Sequence, residues 1–180
     1  MKLGLLNSVV PTLIRKFLYT MLRKNIYIGA GARIHYSASL CQDGGKIRIG
    51  SHCRIHKGVI ISTYGGSIHI GDKVSVNPYT ILYGHGGLDV GDYSRIAAHC
   101  VVIPSNHIFE KRDMLIGSQG SRSEGISIGK DVWLASGVKV LDGANIADGC
   151  VIAANAVFRG GAEPYSVYAG IPAKKIKERI

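Results

Sequence analysis

Histidine and cysteine are the residues of this sequence most able to carry out chemistry, and one histidine stands apart. His107 ends the segment VVIPSNH (101–107), after which the hydrophobic pattern stops for about twenty residues. An imidazole titrates near neutral pH and can therefore take a proton from one group and give it to another. The four cysteines show no CxxC spacing, so zinc and redox motifs are not indicated. The elements that hold His107 follow from the hydrophobic pattern on either side of it.

Bulky apolar residues recur at every sixth position from Ile28 onward. Neither an amphipathic helix nor an alternating strand produces a period of six. A three-sided parallel β-helix does, because each flat side turns one bulky residue inward and each corner needs a small or flexible residue. The repeat therefore predicts an all-β solenoid. Its eighteen inward positions are Ile28, Ile34, Leu40, Ile49, Ile55, Ile61, Ile70, Val76, Leu82, Val90, Ile96, Val102, Ile128, Leu134, Val140, Ile146, Ile152 and Phe158.

A longer period of 21 overlies the repeat of six. Glycine pairs at 44–45, 65–66 and 86–87 mark it, so each early coil carries a corner insertion of two or three residues. The interruption at 108–127 is expected to project as a loop. Cys53, Cys100 and Cys150 fall at small inward positions, which predicts core residues rather than reactive thiols. The pattern predicts about six coils, at 28–45, 49–67, 70–87, 90–107, 128–145 and 146–163.

Residues 1–25 follow a different pattern, with apolar residues about four apart and basic residues between them. This spacing indicates an amphipathic helical segment, which Pro11 is expected to divide. The segment either caps the core or an oligomer seam, or lies on an anionic membrane face. Nothing in it resembles a cleaved secretory signal. We therefore expect a cytoplasmic protein, associated with the inner membrane face if the second interpretation holds.

The net charge of +10 favours anionic partners. A phosphorylated cofactor, a membrane surface and a nucleic acid all fit that sign. The basic residues are scattered and no array of stacking aromatic residues accompanies them, so nucleic-acid binding is not expected. A length of 180 residues, 46% of them hydrophobic, is enough for one domain with a buried core.

Three later stretches carry a family resemblance: ISIGKDVWLASGVKVL, IADGCVIAANAVF and PYSVYAGIPAKKIK. With the repeats of six and the histidine before the interruption, they resemble the hexapeptide-repeat acyltransferases. The nearest groups are the galactoside, maltose and streptogramin acetyltransferases and the polysaccharide O-acetyltransferases. The resemblance implies an all-β fold, a left-handed parallel β-helix of about six coils over 26–163 with an excursion loop at 108–127. It also implies a C-terminal extension with a short helix over 164–180, whereas residues 1–25 lie outside it.

The activity implied by this resemblance is transfer of an acetyl group from acetyl-CoA to an acceptor, at sites between the subunits of a homotrimer. The family's general base is the histidine that ends a coil before the extended loop, which is His107 here. It would take the proton of an acceptor hydroxyl and pass it to the leaving thiolate. The family's oxyanion donor falls on the backbone amide of Ser136. Transfer would be direct, in a ternary complex with a saccharide acceptor, and no metal is expected.

Binding residues are also implied by position, with two departures from the family pattern. His85 stands where the sugar acetyltransferases have an acidic residue, and Arg159-Gly160 replaces the common Thr-Lys. The group that orients His107 is left open between Glu110, Asp113, Glu124 and a backbone carbonyl. The implied acceptor-binding residues are Asn77, His85 and Trp133. The implied cofactor-binding residues are Trp133, Ala135, Ser136, Ala154, Arg159, Lys174 and Lys177.

Four alternatives to a saccharide O-acetyltransferase stay open at this point. Two lie within the family: an N-acetyltransferase acting on an amino sugar nucleotide, and a xenobiotic acetyltransferase of the streptogramin type. The third is a metal enzyme like the γ-class carbonic anhydrases, which share the fold and need a His pair spaced HxxxxH. The residue five after His107 is Arg112, which does not match that spacing. The fourth is a trimeric scaffold without catalytic activity.

Overall fold

The computed structural model describes residues 25–180, and three parallel sheets form the sides of a triangular prism. The strands follow one another in the order sheet A, sheet B, sheet C, so three strands complete one coil. Six full coils and the beginning of a seventh are present among the described residues. They wind as a left-handed parallel β-helix, which confirms the predicted fold class.

The strands, numbered in chain order, divide among the sheets as follows. Sheet A contains β1 (Ile26–Ile28), β4 (Lys46–Ile49), β7 (Ser67–Ile70), β10 (Leu88–Val90), β15 (Ile126–Ile128), β18 (Asn145–Ile146) and β21 (Gly161–Ala162). Sheet B contains β2 (Arg33–Ile34), β5 (Arg54–Ile55), β8 (Ser75–Val76), β11 (Arg95–Ile96), β16 (Trp133–Leu134), β19 (Val151–Ile152), β22 (Ser166–Gly170) and β23 (Ala173–Glu178). Sheet C contains β3 (Ser39–Cys41), β6 (Ile60–Ser62), β9 (Ile81–Tyr83), β12 (Val101–Ile103), β17 (Lys139–Leu141) and β20 (Val157–Phe158).

The predicted inward residues form the core. Sixteen of the eighteen are buried, and the other two, Ile28 and Ile34 in the first coil, are half-buried. Burying one such aliphatic side chain stabilises the fold by about 1.5–3 kcal/mol. Cys53, Cys100 and Cys150 are fully buried, as predicted, and burial raises the pKa of each thiol. A raised pKa keeps a thiol protonated and unreactive, which fits a packing role.

Two of the three corners are built alike in successive coils. The A/B corner of every coil, and the B/C corner of coils two to six, contains one residue with positive φ. Side chains at these positions stack from coil to coil, as in the Tyr79–His99 pair, whose ring centroids are 5.5 Å apart. Inward residues are six apart across both corners, so neither contains an insertion.

The C/A corner takes all the extra residues in coils one to four. The step between inward residues there is nine in coils one and two and eight in coil three, against six in coil five. Glycine is required at Gly45 and Gly66, because a Cβ at either would collide with a carbonyl oxygen of the next coil. In coil four the whole excursion leaves from this corner.

The excursion is held at its neck by a fourth, two-stranded sheet. β13 (Asn106–His107) pairs antiparallel with β14 (Ser121–Arg122), and a short helix α1 (Ile116–Gln119) lies between them. Coil five still stacks directly on coil four, because β12 pairs with β17 in continuous register. A projecting loop was predicted for 108–127; the chain returns to the prism at Ile126, two residues earlier.

The predicted C-terminal helix is wrong. Residues 166–170 continue sheet B as β22, and β23 turns back and pairs antiparallel with it. The reason is the open edge of the last strand, whose N–H and C=O groups need partners that a helix would not supply. The predicted N-terminal helical segment, 1–25, lies almost wholly outside the described residues.

Candidate active site

His107 lies at the neck of the excursion, in β13. It faces Ser121 of β14, while its neighbour Asn106 faces Arg122. The His107 side chain is exposed, and within residues 25–180 its imidazole has neither a hydrogen-bond nor an ion-pair partner. The imidazole therefore lies at the surface and is not held by another side chain of the described residues.

Two of the carboxylates considered as orienting groups have other partners. Glu110 accepts a hydrogen bond from the backbone N–H of Phe109 at 3.0 Å, and its other oxygen lies 3.6 Å from Nη1 of Arg122. The carboxyl group of Glu124 lies against Gly143, in the coil that follows the excursion. Neither carboxylate is therefore positioned to orient the imidazole of His107.

His85 lies in an aromatic cluster at the C/A corner, the corner from which the excursion leaves. Its ring stacks on Tyr64 with centroids 4.4 Å apart and 11° between the planes, and it meets Tyr83 edge-on at 5.8 Å. Burial lowers the pKa of His85, so its imidazole is neutral at pH 7. The pKa of Tyr83 is raised by a hydrogen bond to Tyr64 and by burial. The sequence-predicted acceptor residue thus presents an uncharged ring.

Asn77, Ser136 and Ala154 lie at a different corner, between sheets B and C. The Asn77 side chain donates to the backbone carbonyl of Ile96 at 2.9 Å, so it supports the stacking of two coils. The hydroxyl of Ser136 donates to the carbonyl of Ala98 at 3.0 Å. Its backbone N–H has no acceptor among residues 25–180 and is open to a ligand. An unpaired N–H at an exposed corner is what an oxyanion site requires.

The predicted base and the predicted oxyanion donor are not brought together in one protomer. His107 lies beyond the C/A corner and Ser136 at the B/C corner, so the width of sheet C separates them. They lie on the two borders of the same sheet. Within one protomer these two groups therefore do not form a single site.

Trp133 and Lys177, two of the predicted cofactor residues, share a groove on the outer face of sheet B. Trp133 is 51% exposed and lies in register between Arg95 and Val151. The groove runs past these residues to the C-terminal strand β23, where Lys177 and Arg179 line it. Arg179 pairs with Asp131 of the same groove at 2.9 Å, which leaves Arg95 and Lys177 as the cations beside the indole face that could meet phosphates.

The other predicted cofactor residues are spread over several parts of the solenoid. Ala135 is buried and Ala154 is exposed at the B/C corner, and Lys174 is exposed on β23. Arg159 lies at the C/A corner, with Nη2 3.7 Å from Oδ2 of the buried Asp142. Its charge therefore already compensates a carboxylate of this protein.

Arg95, Arg179, Tyr64 and Tyr83 line the groove or the cluster but were not identified from the sequence. Arg95 occupies the outward position just before an inward residue of sheet B, so the repeat itself could have revealed it. Tyr64 precedes His85 by 21 residues, the period already seen in the glycine pairs. No sequence pattern placed Arg179 beside the groove, because the antiparallel return of β23 was not predicted.

Among residues 25–180, no group of three His, Cys, Asp or Glu side chains is arranged to hold a metal ion. In the same part of the chain, none of the helices combines the length and apolar character needed to cross a membrane.

Comparisons with known proteins agree with the repeat and the fold. The family model "Bacterial transferase hexapeptide (six repeats)" matches residues 125–160. A probable acetyltransferase of Mycobacterium tuberculosis is 35% identical over 92 residues, 51% of this chain and 31% of that protein. A protein of Escherichia coli K12 named for O-acetyl transfer in lipopolysaccharide biosynthesis is 46% identical over 56 residues, 31% of this chain and 29% of that protein. The chain thus spans about a third of the length of these curated relatives.

A solved structure extends the likeness to nearly the whole chain. It is a point mutant of AntD, an N-acyltransferase from Bacillus cereus, in complex with dTDP and coenzyme A. The TM-score is 0.79 at 22% identity, with 92% of this chain and 89% of that chain covered. At this identity the likeness concerns the fold alone. Repeats, relatives and fold together confirm the resemblance of this chain to the hexapeptide-repeat acyltransferases.

Proposed function

We propose that the protein is an acetyl-CoA-dependent O-acetyltransferase that acts on a hydroxyl group of a saccharide acceptor. The observation that carries the proposal is the exposed, unpartnered imidazole of His107 at the neck of the excursion, with a free backbone N–H at Ser136 on the other border of sheet C. Relatives named as acetyltransferases support the transfer class.

The donor fits the groove on sheet B. Arg95 and Lys177 would hold its phosphates and Trp133 would contact its aromatic or pantetheine part. Ala154 is small and exposed, and so leaves room for a narrow chain along the B/C corner. Acetyl-CoA would supply the activated acetyl group as a thioester, and the residues of this chain would position it.

In the proposed reaction, His107 accepts the proton of the acceptor hydroxyl while that oxygen attacks the thioester carbonyl carbon. The N–H of Ser136 donates a hydrogen bond to the oxyanion that forms. When the carbon–sulfur bond breaks, the protonated imidazole of His107 gives its proton to the leaving thiolate. The ester and free thiol are released, and the imidazole returns to its neutral form.

The outer face of sheet C supports a homotrimer. Its outward side chains are mostly apolar and half-buried, whereas those of sheets A and B are mostly polar or charged. An apolar face of this extent calls for cover by another surface. Because His107 and Ser136 border this face, packing it against a second copy would bring the base of one subunit toward the oxyanion donor of another. The main outward residues of sheet C are Cys41, Ile60, Ile81, Tyr83, Val101, Ile103, Leu141 and Val157.

An N-acyltransferase acting on an amino sugar nucleotide is the second candidate. The specific observation in its favour is the fold shared with AntD, which was solved with dTDP and coenzyme A. The same base and oxyanion donor would serve an amine. Hydroxyl and amino acceptors are therefore to be compared in one assay.

Contact with the inner membrane face stays a proposal. Residues 1–71 contain ten Lys and Arg but one acidic residue, Asp43, so the positive charge of the chain is concentrated toward its N-terminal coils. Anionic lipid attracts such charge by about 1 kcal/mol per basic residue near the surface. Sedimentation with anionic vesicles, before and after deletion of residues 1–20, tests this contact.

The test of the proposed function is thiol release from acetyl-CoA over a panel of saccharides, amino sugar nucleotides and xenobiotics. Replacing His107 with Ala should lower kcat by about 10²- to 10⁴-fold, the usual contribution of a general base. Oligomeric mass and coenzyme A binding should not change. The matched control is His69→Ala, at an exposed position on the outer face of sheet A. Unchanged turnover in the His107 variant would contradict the proposal.

A further inference from the structure

The aromatic cluster at the C/A corner carries an inference about the acceptor. Tyr64 is 50% exposed although one face of its ring is stacked on His85. Tyr83 meets the Tyr64 ring edge-on, with centroids 4.8 Å apart and 77° between the planes. These contacts fix the orientation of the Tyr64 ring while half of the residue stays exposed.

The cluster leads directly to the predicted base. Strand register pairs Ser62 with Tyr83, so Tyr64 is aligned with His85 in the next coil. The following pair of strands aligns His85 with Ser105, two residues before His107. Neighbouring strands are about 4.8 Å apart, so Tyr64 lies roughly 10 Å along the corner from Ser105. Within residues 25–180, the C/A corner alone combines this stack of aromatic side chains with the inserted residues.

A similar pair at another corner shows what a purely structural stack looks like. Tyr79 stacks on His99 at 5.5 Å, but its ring also covers Gly58 of the preceding coil. Tyr64 has no glycine to cover, because the register aligns it with Asp43 of coil one. Tyr79 therefore fills a gap between coils, whereas Tyr64 lies between Asp43 and His85 with half of its surface exposed.

The polar groups beside this face indicate the chemical class of its ligand. Asp43 is exposed at the matching position of coil one and accepts a hydrogen bond from Ser62 at 2.8 Å. A carboxylate here can accept further hydrogen bonds from the hydroxyl groups of a ligand. Nδ1 of His85 is buried without a partner among the described residues, and its neutral ring adds no positive charge.

We propose that the exposed face of Tyr64 is a stacking site for a sugar ring of the acceptor, next to the ring that is acetylated at His107. This inference rests on the proposed function and makes it more specific. The spacing of roughly 10 Å between Tyr64 and Ser105 along the corner fits an acceptor of at least two sugar units. The acceptor would then be an oligosaccharide or glycan rather than a single sugar unit.

The experiment compares Tyr64→Ala with wild type on matched mono- and oligosaccharide acceptors. Loss of one aromatic contact should raise KM for the oligosaccharide about 5- to 10-fold. The kcat value, KM for acetyl-CoA and KM for the monosaccharide should stay the same. Tyr64→Phe keeps the ring and should behave like wild type. The matched control is Tyr79→Ala, which removes an equally exposed tyrosine, also at positive φ, from another corner.

Backbone strain is controlled by a second variant. The φ of residue 64 is 46°, a region that asparagine adopts more readily than alanine, so Tyr64→Asn should fold and show the same KM change. Equal oligosaccharide KM values in wild type and both variants would overturn the inference, as would a KM change confined to nucleotide sugars. Absence of transfer to every acceptor by the wild-type protein would overturn the proposed function itself.

Discussion

His107 and Ser136 owe their availability to two different backbone features. His107 is free because β13 pairs through its backbone with β14 and leaves the imidazole outside the coil stack. The N–H of Ser136 is free because it occupies the second position of a corner turn, where the backbone of the neighbouring coil offers no acceptor. At the following position, by contrast, the backbone N–H of Gly137 donates to the carbonyl of Ala98 in the preceding coil.

Proline at position 136 tests the oxyanion role. Pro78 occupies the equivalent corner position in coil three. The backbone N–H of His99, in the next coil, donates to the carbonyl of Pro78, just as that of Asn155 donates to the carbonyl of Ser136. Ser136→Pro should therefore fold while removing the N–H, and kcat should fall about 10²- to 10³-fold. Ser136→Ala keeps the N–H and should retain most activity. Steady-state kinetics at saturating acetyl-CoA measures both, and equal activity of the two variants would contradict the assignment.

At the scale of the element, the C-terminal strand β23 completes the groove beside Trp133. Lys175 on this strand pairs with Glu163 at 2.6 Å and Glu178 at 3.1 Å, and these hydrogen bonds raise its pKa. Lys177 has no ion-pair partner among residues 25–180 and lines the groove. The two lysines therefore differ: Lys175 holds the strand through its ion pairs, whereas Lys177 leaves its charge free in the groove.

This difference predicts separate effects of charge removal. Lys177→Gln should raise KM for acetyl-CoA severalfold, more strongly at low salt, because it removes a cation from the proposed phosphate site. Lys175→Gln is the matched control and should leave that KM nearly unchanged. Initial rates at two ionic strengths check the prediction. A larger KM change for the Lys175 variant would show that the groove does not bind the phosphates.

The elements were predictable where one rule repeats. A single bulky residue at every sixth position was enough to place the inward residues from Leu40 to Phe158, because each side of the prism needs the same inward group. The C-terminal strand was not predictable in this way. The segment AKKIKE is compatible with a helix and with an edge strand. The open edge of β22 decides its conformation, and that edge exists only in the folded solenoid. Arg179 and the full groove were missed for the same reason.

At the scale of the whole molecule, the position of His107 was predictable but its partners were not. The pattern break located the excursion, and the structure has His107 at its neck. In the proposed trimer, which residues face it would depend on another copy of the chain across sheet C. Tyr64 and His85 needed the stacking of coils to become neighbours, although they are 21 residues apart.

Mixed assembly tests whether the site is shared between subunits. His107→Ala and Ser136→Pro chains, each inactive alone, should regain activity when unfolded and refolded together. With random mixing in a closed ring, about one site in four would combine the intact base with the intact donor. Refolding either variant with itself is the control. Turnover that stays at the level of the separate variants would mean that one subunit contains the whole site.

The C/A corner has a consequence for how this protein can diversify. Added residues at this edge, from two in coil three to the long excursion of coil four, leave the pairing of the flat sides continuous. The groove on sheet B and the face of sheet C are therefore insulated from changes in length here. Selection, or an engineer, can exchange 108–125 together with the neighbouring corner residues, keeping His107, and so change the surroundings of the proposed base without rebuilding the proposed donor groove.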